Sequence, residues 1–233
     1  MLVANPSKRG AFIVFEGVDR CGKTTQCSLL LKHLLSVGMA AVAMRFPDRT
    51  TLVGNLINSY LASNENLDDR AIHLLFSANR WEAAPTLAET LGNGKTIICD
   101  RYAYSGVAFT AAKQVEPPLT IEWCQSPDRG LPAPDVVIFL DLTQEEAEKR
   151  GGYGEERYEK RDMQIRVKQR FTELRQGDDV VPWHVVNAAQ SIEQVLADIL
   201  AIVEDTVKQV QDGKPLSKLW MEGDYPLPKK QEE

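Results

Sequence analysis

Phe15-Glu16-Gly17-Val18-Asp19-Arg20-Cys21-Gly22-Lys23-Thr24-Thr25-Gln26 carries, from Gly17 to Thr24, the spacing G-x-x-x-x-G-K-[ST]. Its four fixed positions arise by chance in roughly one chain in a hundred of this length, so the flanking sequence decides what the octet means. Upstream, Ala11-Phe12-Ile13-Val14-Phe15 is a short run of strand formers. Downstream, Cys27, Leu30, Leu31, Leu34 and Leu35 recur at helical spacing until Gly38. Strand, glycine turn and helix in that order bind anions for a physical reason. The first N–H groups of the helix have no intrahelical acceptor, and the positive end of its dipole points the same way. In such a loop Lys23 adds a point charge near the β and γ phosphates of a polyphosphate, and the Thr24 hydroxyl is an oxygen ligand for Mg²⁺.

Four more apolar runs read as strands: Ala40 to Phe46, Lys95 to Cys99, Val136 to Leu140 and Trp183 to Val186. None alternates with polar residues, which suits strands covered on both faces. The stretches between them read as helices, so the expectation is a parallel α/β sheet of five strands with helices on both sides. Thr51 to Ser63 carries Leu52, Val53, Leu56, Ile57, Tyr60 and Leu61 on one side, and Asp69 to Leu91 is a longer helix with Ile72, Leu75 and Phe76. Thr143 with Glu146 and Ser191 with Gln194 fit the capping box, and the last helix runs through Val195, Ile199 and Val203 to about Val210. Glu116-Pro117-Pro118 and the segment up to Pro134 read as loops inside one domain over residues 1–220. Residues 221–233, with two prolines and two lysines, read as a loose tail.

The 233 residues carry a net charge of −6, with a pI near 5.3, which argues against a general nucleic-acid or membrane surface. Cys21, Cys27, Cys99 and Cys124 form no CxxC pair, so neither a zinc site nor a disulfide framework is expected. Met1 to Gly10 lacks an apolar h-region and no stretch has 18 apolar residues, so the expectation is a soluble cytoplasmic or nuclear protein.

Ligands of an open parallel sheet bind beyond the carboxyl ends of its strands. The strand ends here deliver the glycine loop, then Arg45-Phe46-Pro47-Asp48-Arg49, then Asp100-Arg101-Tyr102, then Asp141. Arg20, Arg45, Arg49 and Arg101 are thereby expected at one place, where a net-acidic protein needs an anion to neutralise them. Gly152 to Arg161, preceded by Lys149 and Arg150, is glycine-flanked and dense in charge, the composition of a lid over about 142–166 whose arginines close on phosphate. Phe76 and Arg80, four apart, share a helix face and offer a flat apolar surface beside a fork of donors, a pair suited to a nucleobase.

These stretches, together with Leu74-Leu75-Phe76-Ser77-Ala78-Asn79-Arg80-Trp81-Glu82 and Asp100-Arg101-Tyr102-Ala103-Tyr104-Ser105-Gly106-Val107-Ala108-Phe109, resemble the eukaryotic thymidylate kinases, a P-loop nucleoside monophosphate kinase family. The likeness runs in order from about Gly10 to Trp220. It implies transfer of the γ-phosphoryl group of ATP to dTMP, with Mg²⁺, in a homodimer without nucleic-acid or membrane partners. By the same resemblance Gly17, Cys21, Gly22, Lys23, Thr24 and Thr25 line the ATP phosphates, Arg150 lies near the adenine, and Arg20 is a catalytic arginine inside the loop. Asp19 contacts the deoxyribose 3′-hydroxyl, Arg49 and Arg101 grip the dTMP phosphate, and Asp100 joins Thr24 at the metal. Phe76 stacks on thymine, Arg80 bonds the base, Phe109 and Tyr158 crowd the sugar, and Phe46 and Gly106 complete the acceptor side. Lys23, Arg20, Asp100 and Arg101 form the catalytic set. A GTP-dependent switch protein would need an Asn-Lys-x-Asp guanine reader, which the chain lacks. Cys21, at a helix N-terminus, is expected to make the loop sensitive to thiol reagents, and Gln114 to Leu119 is longer than the family pattern.

Overall fold

The computed structural model describes residues 8–150, 157–178 and 180–228. Five strands, β1 (Phe12–Glu16), β2 (Ala41–Arg45), β3 (Thr96–Asp100), β4 (Val136–Asp141) and β5 (Trp183–Asn187), form one parallel sheet in the order β2-β3-β1-β4-β5. Each lies within two residues of its expected position. The helices are α1 (Lys23–Ser36), α2 (Leu52–Leu61), α3 (Asp69–Gly92), α4 (Ala103–Ala111), α5 (Ile121–Gln125), α6 (Gln144–Lys149), α7 (Arg161–Gln176) and α8 (Ile192–Gln211), with a 3₁₀ turn at Ser126–Asp128.

The sheet separates two apolar layers, and strand alternation assigns each side chain to one of them. Phe12, Val14, Ile97, Cys99, Val137 and Phe139 face a layer built with Leu87 and Leu91 of α3, Val107 of α4 and Phe171 of α7. Ile13, Phe15, Ile98, Ile138 and Leu140 face the other, with Leu30 and Leu34 of α1 and Ile199 and Val203 of α8. Two-sided cover holds for β1, β3 and β4. The edge strands β2 and β5 are only partly covered, and Val185 is exposed.

Several expectations need correction. The apolar residues of α2 do not share one side: Ile57, Tyr60 and Leu61 are buried, while Leu52 and Leu56 are 88% and 56% exposed. The Thr143–Glu146 box closes both ways, but at Ser191 only the hydroxyl caps, because Gln194 Nε2 donates to Asp198 instead. The segment up to Pro134 holds α5 and the 3₁₀ turn, not loop alone. Up to Leu227 the tail is docked: the Tyr225 amide donates to the Leu216 carbonyl at 2.6 Å, and Tyr225 and Leu227 pack on the α3/α4 layer. Residues 229–233, with Lys229 and Lys230, lie outside the described residues.

Strand order places the site. The helix following β1 leaves to one face of the sheet and the helix following the adjacent β3 leaves to the other, which opens a crevice at their carboxyl ends. Gly54 sets one wall. A Cβ there would sit 1.8 Å from the Asp48 carbonyl oxygen, so only glycine lets α2 pack against the loop that follows β2.

Candidate active site

Gly17 (φ 144°) and Gly22 (φ 98°) shape the loop between β1 and α1; a Cβ on Gly17 would also lie 2.7 Å from the Leu140 carbonyl oxygen. Arg20 (φ 63°) and Arg101 (φ 70°) are left-handed without being glycine, a conformation the surroundings must enforce. Lys23, 5% exposed, donates from Nζ to the carbonyls of Val18 at 2.7 Å and Gly17 at 3.1 Å.

Asp100 is the hub. In register with Phe15 of β1 and Arg45 of β2, its Oδ2 accepts from Thr24 Oγ1 at 2.7 Å and from Arg45 Nη2 at 2.8 Å, and Arg45 also donates to Thr24. Burial pushes the Asp100 carboxyl up, but the charges of Lys23 and Arg101 and the bonds from Thr24 and Arg45 outweigh it and hold the group below the ordinary 3.8. It is therefore an anion at neutral pH.

Arg101 turns toward the loop, donating to Gly17 O at 3.2 Å and Ser105 Oγ at 3.1 Å, pairing with Asp19, and lying 5.2 Å from the Phe109 ring centre. A fully buried carboxylate that sequence reasoning missed, Glu16, accepts from the amides of Tyr102 (2.9 Å) and Ser105 (3.0 Å) and from Ser105 Oγ (2.5 Å), fixing the start of α4 behind Arg101. Burial raises its carboxyl despite those bonds and the nearby Arg101 charge. Gln164 was missed as well. It donates to Asp19 Oδ2 at 2.6 Å and to Tyr158 O at 2.9 Å while accepting from the Asp19 amide at 2.9 Å, so α7 holds the loop from the far side.

A cleft of about 1240 Å³ is lined by Arg20, Cys21, Gly22, Lys23, Thr24, Thr25, Asp100 and Arg150, and also by Arg45, Arg49 and Arg101. Six basic side chains face four carboxylates there, so the cleft is locally cationic in an acidic chain. Arg20 pairs with Glu159 at 3.1 Å, and Arg150 donates to Arg20 O at 3.1 Å and Ala188 O at 2.7 Å. Of the expected lid, Gly152, Gly154, Glu155 and Glu156 lie outside the described residues. Asp141 is not part of the cleft; it pairs with Lys168 at 2.6 Å. Cys21 is 2% exposed with its sulfur against Lys23, which corrects the expectation of a loop open to thiol reagents.

Beside this cleft lies a slot of about 90 Å³, around which the fold gathers Asp19, Phe46, Arg49, Phe76, Arg80, Arg101, Gly106, Phe109 and Tyr158. Asp19, Phe46, Arg49 and Arg101 line both spaces. Phe109 and Tyr158 pack at a tilt with ring centres 5.6 Å apart, and Arg49 donates to Asn58 at 3.0 Å. Among the described residues no cluster of three or more His, Cys, Asp or Glu side chains suits a metal, and no helix is long and apolar enough to cross a membrane.

The family model for thymidylate kinase matches residues 15–199. The chain belongs to the thymidylate kinase family. It is 51% identical to the thymidylate kinase of Danio rerio over 91% of this chain and 98% of that one, and 46% identical to that of Homo sapiens over 92% and 99%. A solved thymidylate kinase of Candida albicans, described as revealing the origin of broad substrate specificity and a novel structural element, superposes with a TM-score of 0.81 at 39% identity, over 91% of this chain and 99% of that one. As a member of the thymidylate kinases the chain is a nucleoside monophosphate kinase that takes ATP with Mg²⁺ as phosphoryl donor and dTMP as acceptor.

One buried histidine, His73 of α3, bonds to Thr110 of the slot wall. His73 Nε2 faces the Cys124 carbonyl at 2.8 Å and must donate to it, so Nδ1 accepts from Thr110 Oγ1 at 2.8 Å. Burial, with the Arg80 charge, lowers the ring from 6.5 to about 4. Between those values the unfolded chain binds a proton that the folded chain does not, so this group's contribution is full above pH 6.5 and is lost as pH falls toward 4. The shift corresponds to about 3 kcal/mol at most. Urea denaturation of wild type and His73→Gln at pH 7 and pH 4.5 should show the wild-type advantage shrinking by about 2–3 kcal/mol; an advantage independent of pH would contradict the assignment.

Proposed function

We propose that the large cleft holds ATP and the slot holds dTMP, with the transferred phosphoryl group between them. The observation that carries this reading is the shared wall of Asp19, Arg49 and Arg101, where a cationic cleft meets an apolar slot. In this arrangement the loop amides and α1 N-terminus, with Lys23, neutralise the donor phosphates, and Arg150 lies toward the adenine. Arg49 and Arg101 take the acceptor phosphate, and Asp19 takes the 3′-hydroxyl. Thymine lies against Phe76 beside Arg80 and Gly106, with Phe46 behind and Phe109 and Tyr158 crowding C2′.

Mg²⁺ prefers hard oxygen ligands, and the ionised Asp100 with the Thr24 hydroxyl beside it at the foot of the cleft is such a set. Bound there, the ion supplies charge neutralisation on the phosphates. The protein's own part is positioning: the acceptor oxygen attacks the γ-phosphorus as the bond to the β–γ bridging oxygen breaks, and ADP departs. Arg20, Lys23 and Arg101 meet the charge that spreads over the transferred oxygens. No covalent enzyme intermediate is needed.

A homodimer belongs to the same reading. Leu52 and Leu56 on α2 and Leu74 and Trp81 on α3 are exposed apolar side chains on two helices that pack together, a surface that favours a partner. Sedimentation equilibrium at twice the monomer mass supports it, and a monomer at micromolar concentration contradicts it.

Acceptor comparison in a coupled ADP assay tests the activity itself. dTMP should give the highest kcat/KM, and dUMP, lacking one methyl, should fall about 10–200-fold below it. CMP, AMP and thymidine should stay at background; a preference for any of those three would overturn the reading.

A further inference from the structure

The ion pair of Arg80 and Asp128 lies directly behind the slot, with side chains 2% and 0% exposed. Arg80 Nε donates to Oδ1 at 3.1 Å and Nη2 to Oδ2 at 2.6 Å, a fork that fixes the plane of the guanidinium. Nη1 has no acceptor among the described residues, and Arg80 lines the slot with Phe76. On the other side the backbone of α4 closes in: a Cβ on Gly106 would lie 2.8 Å from Nη2 and 3.0 Å from Nη1.

Asp128 is itself held by α3. Ser77 Oγ donates to its Oδ1 at 2.8 Å, Trp81 Nε1 donates to the Pro127 carbonyl at 2.7 Å, and His73 holds the Cys124 carbonyl one turn earlier. An unpaired guanidinium at this depth would be costly and free to rotate. Asp128 cancels the charge and occupies one edge of the group, which leaves Nη1 as the donor facing the slot. A guanidinium nitrogen donates and never accepts. It therefore suits a ring carbonyl oxygen and opposes an amino group at the same place.

We propose that Asp128 is a positioning residue for pyrimidine selection, aiming Arg80 at a 4-oxo pyrimidine and against a 4-amino one. The proposal rests on reading the slot as the base site. Its test is the kcat and KM of D128N for dTMP and dCMP, with the KM for ATP alongside. Losing a charge-assisted pair should raise the dTMP KM about tenfold or more and cut the preference for dTMP over dCMP by a similar factor. The kcat for dTMP and the KM for ATP should stay within about threefold, because the base is remote from the transferred group. In an R80K background D128N should add little, since both act through one group.

A dTMP KM within twofold of wild type, or parallel rises for dTMP and ATP, would overturn the proposal. If D128N does not fold, S77A carries the test: loss of one neutral-donor bond to Asp128 should raise the dTMP KM about threefold with the ATP KM unchanged, and an unchanged dTMP KM in folded S77A would overturn it. Wild type inactive on dTMP would instead overturn the reading of the slot, and this proposal with it.

Discussion

Asp100 sits where the sheet runs out between β2 and β1, with Phe15 and Arg45 as its register neighbours. A buried carboxylate is unfavourable alone, and here it is kept ionised by Lys23 from the loop, Arg101 from its own strand end, Arg45 from β2 and the Thr24 hydroxyl at the start of α1. The partners come from three places along the carboxyl edge: the first turn of α1 for Lys23 and Thr24, the end of β2 for Arg45 and the end of β3 for Arg101. The anion therefore does more than join a charge cluster: it fixes the first turn of α1 relative to the ends of β2 and β3, and with it the cleft floor. The crossover pattern of the sheet makes this convergence possible, and the carboxylate makes it rigid.

Behind that hub a second buried acid serves the slot side. Glu16 caps the amides at the start of α4, and Arg101, in a left-handed conformation, bridges from there to Gly17 and Asp19. Gln164 reaches the same Asp19 from α7. The large cleft and the slot thus share a wall in which Asp19 and Arg101 are each held from two directions, and in-line phosphoryl transfer between two nucleotides asks for that positional control. Farther out, Asn79, fully buried, accepts from the Asp48 amide and donates to Glu82, tying the loop after β2 to α3 and so to the slot.

Sequence reasoning reached the strands, the glycine loop, the arginines at the strand ends and the Phe76–Arg80 pair because those signals are local, whereas Asp19, Phe46, Gly106, Phe109 and Tyr158 came from the family resemblance. A five-residue apolar run, a glycine spacing or a pair four apart on a helix is visible without knowledge of the fold. α4 left no such signal, since seven of its nine residues are buried and a helix covered all round has no amphipathic stripe. α7 does carry one, in Met163, Val167, Phe171 and Leu174, but the dense charge around it drew the reading toward a lid. Glu16, Gln164 and Asp128 were illegible for a different reason. Each is a polar residue whose role is a bond to a segment tens of residues away, and only the tertiary arrangement separates it from a solvated side chain. The outward turn of Leu52 and Leu56 was hidden likewise, because the sequence does not say which side of α2 meets α3.

The central claim is that an ionised Asp100 organises the transfer site, and D100N tests it with almost no change in side-chain volume. We predict that kcat for dTMP at saturating ATP and Mg²⁺ falls about 100-fold or more, the range lost when one preorganised electrostatic group is removed from a closed site, while the variant remains folded by its unfolding transition. A folded D100N that turns over dTMP within threefold of wild type would contradict the account.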